Sequence, residues 1–79
     1  MCRIKAQIVR LDIQNECIAS FQTSRGIDAE VVMPPSVAKD GYITVVEICR
    51  ENDRVLIELP GETTRGYRRI WVSPGQVYA

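Results

Sequence analysis

This chain of 79 residues contains no histidine. The commonest metal ligand and the commonest general base are therefore both missing. A nucleophile such as Cys49 would have to find its base in a lysine or a carboxylate. The cysteines, Cys2, Cys17 and Cys49, are odd in number and show no C-x-x-C spacing, which argues against a disulfide framework and a zinc knuckle. Each reads instead as a small buried hydrophobe. Net charge is absent too: 10 basic and 10 acidic residues cancel, so no global field steers the chain to nucleic acid or membrane, and nothing repels a second copy. No apolar run approaches the roughly 20 residues that cross a bilayer, and residues 1–7 lack the apolar core of a signal peptide. These absences predict a protein that is not an enzyme, has no metal or cofactor, keeps off the membrane and works in the cytoplasm.

What is present reads as strands. A hydrophobic fraction of 46% and a charged fraction of 25% are ordinary globular values, and the length suits one domain over residues 1–79. From Arg3, the residues Ile4, Ala6 and Ile8 alternate with Arg3, Lys5 and Gln7, the period of a half-buried strand. The phase then slips to Val9, Leu11 and Ile13, which predicts a bulge near Ile8 and Val9. Gln14, Asn15 and Glu16 make a turn, after which Cys17, Ala19 and Phe21 form the inward set of a second strand. Ser24, Arg25 and Gly26 supply the next turn. Residues 29–33 form a third strand, stopped by Pro34 and Pro35. Residues 36–40 have room for one helical turn. A hairpin follows, residues 42–49 answered by 55–59 across Glu51, Asn52 and Asp53. A strand over 67–72, a turn or single 3₁₀ turn at Ser73, Pro74, Gly75 and Gln76, and a short closing strand at Val77 and Tyr78 complete the chain.

Several short antiparallel strands in this length predict an all-β fold, a small antiparallel barrel. The turn before a short last strand, from Trp71 to Tyr78, resembles the layout of SH3-like barrels. An OB-like barrel is the alternative, although 34–41 is short for the helix such a barrel carries. The run Glu30, Val31, Val32, Met33, Pro34 followed by the 42–59 hairpin looks like the half-barrel of AbrB-type DNA-binding regulators; that resemblance implies a half-barrel dimer and a helix of two or more turns after the proline. The 42–71 stretch is similar to the carbon storage regulator RNA-binding proteins. No functional residue is carried over from either family. The expected core is Ile4, Ile8, Phe21, Val31, Val46, Ile48, Val55, Ile57, Ile70 and Val72. Residues 42–49 carry apolar side chains on both faces, Val46 and Ile48 on one and Ile43, Val45 and Cys49 on the other, which predicts a homo-oligomer that covers the second face.

Charge is unevenly distributed along this neutral chain. Residues 26–62 hold most of the acids, whereas 63–79 hold Arg65, Arg68 and Arg69, the single tryptophan and two tyrosines with no acid. Gly61 and Gly66 lack the Gly-Lys-Ser/Thr of a phosphate loop, and Glu47, Glu51, Glu58 and Glu62 read as a solvated face. The basic-aromatic block is the candidate site. If Ile70 and Val72 face the core with Arg68 on their side, then Tyr67, Arg69 and Trp71 form an outer row. Those rings suit base stacking, while Arg65 and Arg69 suit phosphates. Arg3 and Lys5 join them if the terminal strands are adjacent. The expected partner is single-stranded nucleic acid or, alternatively, a protein or peptide in an aromatic-lined groove. A plain surface, with Trp71 half-buried and the arginines paired to Glu47 or Glu58, fits the same residues.

Overall fold

The computed structural model of the chain describes residues 1–11 and 15–79. It is all-β, with two antiparallel sheets: β1 (Cys2–Lys5), β2 (Gln7–Arg10), β3 (Cys17–Gln22), β4 (Asp28–Met33), β5 (Ala38–Lys39), β6 (Tyr42–Arg50), β7 (Val55–Glu58), β8 (Arg69–Val72) and β9 (Val77–Tyr78). The larger sheet runs β8-β7-β6-β1-β9, with β5 also paired to β6, and the smaller runs β2-β3-β4. Three-residue 3₁₀ turns lie at Pro35–Val37 and Pro74–Gln76. The first is shorter than the helix implied by the AbrB resemblance.

The sheets do not close into the expected barrel. The first strand breaks at Ala6, whose N–H donates to the Gly41 carbonyl at 2.9 Å, and the chain then enters the smaller sheet. No bulge lies at Ile8 and Val9: the register of β2 against β3 runs unbroken from Gln7 to Arg10, Ile8 stays in phase with Ile4 and Ala6 against the core, and Val9 is 53% exposed. Ile13 and Gln14 lie outside the described residues. On the far side, β4 meets the loop before β8 through one isolated bridge, Val31 to Thr63, and the bond from Thr64 N–H to the Glu30 carbonyl. A full ladder would be needed to close the barrel, and this seam carries only isolated bonds.

One apolar core lies between the sheets. Cys17, Ala19, Phe21, Ala29, Val31 and Met33 from the smaller sheet meet Ile4, Ile43, Val45, Val55, Ile57 and Val72 from the larger one, all buried. Of the expected core, Ile8 and Ile70 are half-buried, and two residues are misplaced. Val46 and Ile48 are exposed, at 43% and 38%, while Ile43 and Val45 point inward. Register is the reason. Ile4 pairs with Ile43 and Cys2 with Val45, so both partners join the buried side of β1. Past Val45 there is no β1 left to pair, and the ladder to β7 shifts register between Glu47 and Cys49. The apolar surface left over on β6 is therefore Val46 and Ile48, joined by Cys49, which is exposed and not buried as expected; of the three thiols only Cys17 is buried.

A tight hairpin between β5 and β6 sets the other end of this sheet. Asp40 and Gly41 both take positive φ, 56° and 81°, the conformation of a two-residue turn that Asp-Gly adopts readily. It brings Lys39 opposite Tyr42 and Ala38 opposite Ile43.

Candidate binding cleft

Strand β8 forms one wall of a cleft. Ile70 pairs with Ile57 and Val72 with Val55 on the core side, so alternation turns Arg69 and Trp71 outward. The loop before β8 is folded by Thr63. Its N–H donates to the Tyr67 carbonyl at 2.7 Å, its carbonyl accepts from Gly66 N–H, and its hydroxyl accepts from Tyr67 N–H at 3.0 Å. Gly66 permits this with φ 89°. Buried Thr63 thus holds Arg65 and Tyr67 out into solvent, with Tyr67 60% exposed.

The opposite wall is the tip of the β3–β4 hairpin. Thr23 N–H donates to the Ile27 carbonyl at 2.8 Å, and Gly26 N–H closes back on the Thr23 carbonyl at 3.0 Å. Ser24 N–H donates to the Trp71 carbonyl at 2.9 Å, which docks the tip against the outer edge of β8. Between the walls is an open cleft of about 680 Å³, lined by Arg25, Arg54, Arg65, Arg69, Tyr67 and Trp71. That volume lies in the range of small-ligand sites.

The arginines are not equivalent. Arg69 Nε donates to Glu58 Oε1 at 3.1 Å, across a register pair. Arg54 Nε donates to Glu51 Oε1 at 2.8 Å, and its guanidinium lies 3.9 Å from the centroid of the Trp71 ring. Arg25 and Arg65 have no carboxylate within 4.0 Å among the described residues. Asp28 and Glu30 also line the cleft.

The structure brings Arg65, Tyr67, Arg69 and Trp71 together, but Arg3 and Lys5 stand elsewhere. Strand β1 is indeed next to the last strand, β9, yet β6 and β7 separate it from β8. Trp71 is half-buried with Arg54 covering a face, and Arg69 is paired, so both match the plainer surface reading of the same residues. Arg25 and Arg54 are the cleft residues that sequence reasoning missed. Their positions depend on the hairpin tip reaching β8 and on the β7–β8 register, and neither leaves a local sequence signal. No group of three or more Cys, Asp or Glu side chains suited to a metal occurs among the described residues, and none of their helices is long and apolar enough to cross a membrane. No family model, curated protein or solved structure matches the chain.

Proposed function

We propose that this chain is a non-catalytic binding module that takes single-stranded nucleic acid across the cleft between β8 and the β3–β4 tip. The observation that carries the reading is the grouping of Arg25 and Arg65, neither of which forms an ion pair within 4.0 Å among the described residues, with the exposed ring of Tyr67. Tyr67 offers a base a stacking face, and the two guanidinium groups flank it for phosphates. Arg69, held by Glu58, serves as a fixed donor. Trp71 forms the floor, its face shared with Arg54. The 3₁₀ turn at Pro74–Gln76 before a two-residue last strand, itself paired to β1, supports an SH3-like layout for the scaffold.

A second reading has one observation in its favour. Asp28, Glu30 and Ile27 line the same cleft, and together they suit an extended peptide that carries a basic residue.

Salt separates the two. Binding of a labelled single-stranded RNA or DNA is measured by anisotropy from about 50 mM salt upward, where each phosphate contact contributes about −0.7 to the slope of log K against log salt. Loss of both contacts in Arg25→Ala/Arg65→Ala is expected to flatten that slope by about 1.4. Tyr67→Ala is expected to weaken binding by about 1–3 kcal/mol, the usual range for a stacked base. No binding by wild type at about 50 mM salt, or wild-type behaviour in both folded variants, ends the nucleic-acid reading and leaves the peptide one.

A further inference from the structure

The outward face of the β5-β6-β1-β9 end of the larger sheet carries a second basic-aromatic cluster, contributed by residues far apart in sequence. Its composition follows from register. Ile4 lies opposite Ile43 on one side and Val77 on the other, and Ala38 lies opposite Ile43. Ile4 and Ile43 are fully buried, so this row belongs to the core side. Alternation sends the neighbouring positions outward. One outward row is Lys39, Tyr42 and Lys5, and the next is Thr44, Arg3 and Tyr78.

The two rows contain three cations, two phenol rings and no acid. Arg3 lies with its guanidinium carbon 4.7 Å from the centroid of Tyr42. Tyr78 meets Tyr42 edge to face, with ring centroids 5.4 Å apart. A cation held over a ring face by the ring's quadrupole keeps N–H donors to offer to an anion. Arg3, Lys5 and Lys39 are all exposed, and none has a carboxylate within 4.0 Å among the described residues. Beside the face, Lys5 and Tyr78 border a shallow recess of about 560 Å³ whose other walls include Gln7, Gln22 and Gln76.

We infer that this face is a second binding surface for single-stranded nucleic acid, separate from the cleft at β8. Lys5 and Lys39 flank Tyr42 from adjacent strands and take backbone phosphates. Arg3 takes a third from its seat on Tyr42. Tyr78, 41% exposed, offers a ring to a base. A single strand is the fitting form, because an exposed ring on a sheet is of use only to an unpaired base. The charge complementarity is local, which reconciles the site with a neutral chain.

The test uses the intact chain and a labelled uridine dodecamer at about 50 mM salt and upward. Lys5→Glu/Lys39→Glu is expected to lose at least about tenfold in affinity and to flatten the salt slope by about 1.4, for two contacts removed. Tyr78→Leu is expected to weaken binding by about 5-fold or more, whereas Tyr78→Phe keeps the ring and binds as wild type. Arg10→Glu, an exposed charge on the other sheet, is set against Lys5→Glu alone, which changes net charge by the same amount. Should the double reversal fail to fold, Lys5→Gln/Lys39→Gln replaces it. The inference is overturned if the folded double variant keeps wild-type affinity and slope, if Arg10→Glu loses as much as Lys5→Glu, or if the oligomer does not bind while anionic phospholipid vesicles do. The same assay on Arg25→Ala/Arg65→Ala keeps the two sites apart. Loss there alone rejects this face, and loss only in the face variants rejects the cleft.

Discussion

Arg54 is the most informative residue to remove, because it touches the only tryptophan in the chain. Its guanidinium lies 3.9 Å from the Trp71 centroid, and its Nε is bonded to Glu51 at 2.8 Å. The ion pair is solvent-exposed, with side-chain exposures of 36% and 53%, so it contributes at most a few tenths to about 1 kcal/mol. The cation–π contact at a partly exposed site adds about 0.5–1 kcal/mol. Arg54→Ala is therefore expected to cost about 1 kcal/mol, a fall of about 4–8 °C in Tm for a domain of this length. Because Trp71 is the sole indole, its emission reports the contact directly. The variant should shift that emission to the red and raise its quenching by acrylamide, while Glu51→Ala, which removes the ion pair alone, leaves the spectrum near wild type. Unchanged emission, quenching and Tm in Arg54→Ala would show that the guanidinium does not cover the ring, and the account of the cleft floor would fall.

The phase of β6 is tested by two conservative truncations. Ile43→Val removes a methylene from the core and is expected to cost about 0.5–1.5 kcal/mol, whereas Ile48→Val, at 38% exposure, should stay within about 0.5 kcal/mol in urea unfolding; the reverse order would restore the outward-facing Ile43. Thiol labelling near neutral pH should proceed first at exposed Cys49, then at Cys2, and at buried Cys17 only on unfolding. Burial, followed by the nearby Glu47 carboxylate, pushes the Cys2 thiol up, so less of it is the reactive thiolate and its labelling gains speed as pH rises. Native-state labelling of Cys17 as fast as Cys49 would contradict the position of β3.

The strands were legible where one local rule decided them. Cys17, Ala19 and Phe21 alternate without interruption, and all are buried as expected. The β6–β7 hairpin followed from dense β-branched residues around a polar turn, and the 3₁₀ turn at Pro74–Gln76 from its Ser-Pro-Gly sequence. Strand β6 was harder because apolar side chains occupy both of its faces, so periodicity has no preferred phase there. Only the pairing of Ile4 with Ile43 decides it, and pairing is a tertiary fact. The Asp40-Gly41 turn carried a clear hairpin signal, but the two-residue β5 before it is too short to show alternation. The candidate site was legible in part for the same reason. Arg65, Tyr67, Arg69 and Trp71 share one strand and its approach, whereas Arg25 reaches them only because Ser24 bonds to the far side of β8.

Zero net charge argued against a polyanion ligand, and the ion pairs show why that argument weakens once the chain is folded. Glu47 bonds to Arg50, Glu51 to Arg54 and Glu58 to Arg69, all on β6, β7, β8 or the turn between β6 and β7. Pairing along these hairpins uses acids from the acidic middle of the chain against local arginines. The cations of β1 and β5 have no such neighbours: Arg3, Lys5 and Lys39 face tyrosines and threonine across their strands. Electrostatic attraction between exposed charges fades beyond about 8 Å at physiological salt, so a ligand at that face responds to the local cations far more than to the chain's total. A neutral sum is then compatible with a basic surface, because strand register decides which charges are neighbours.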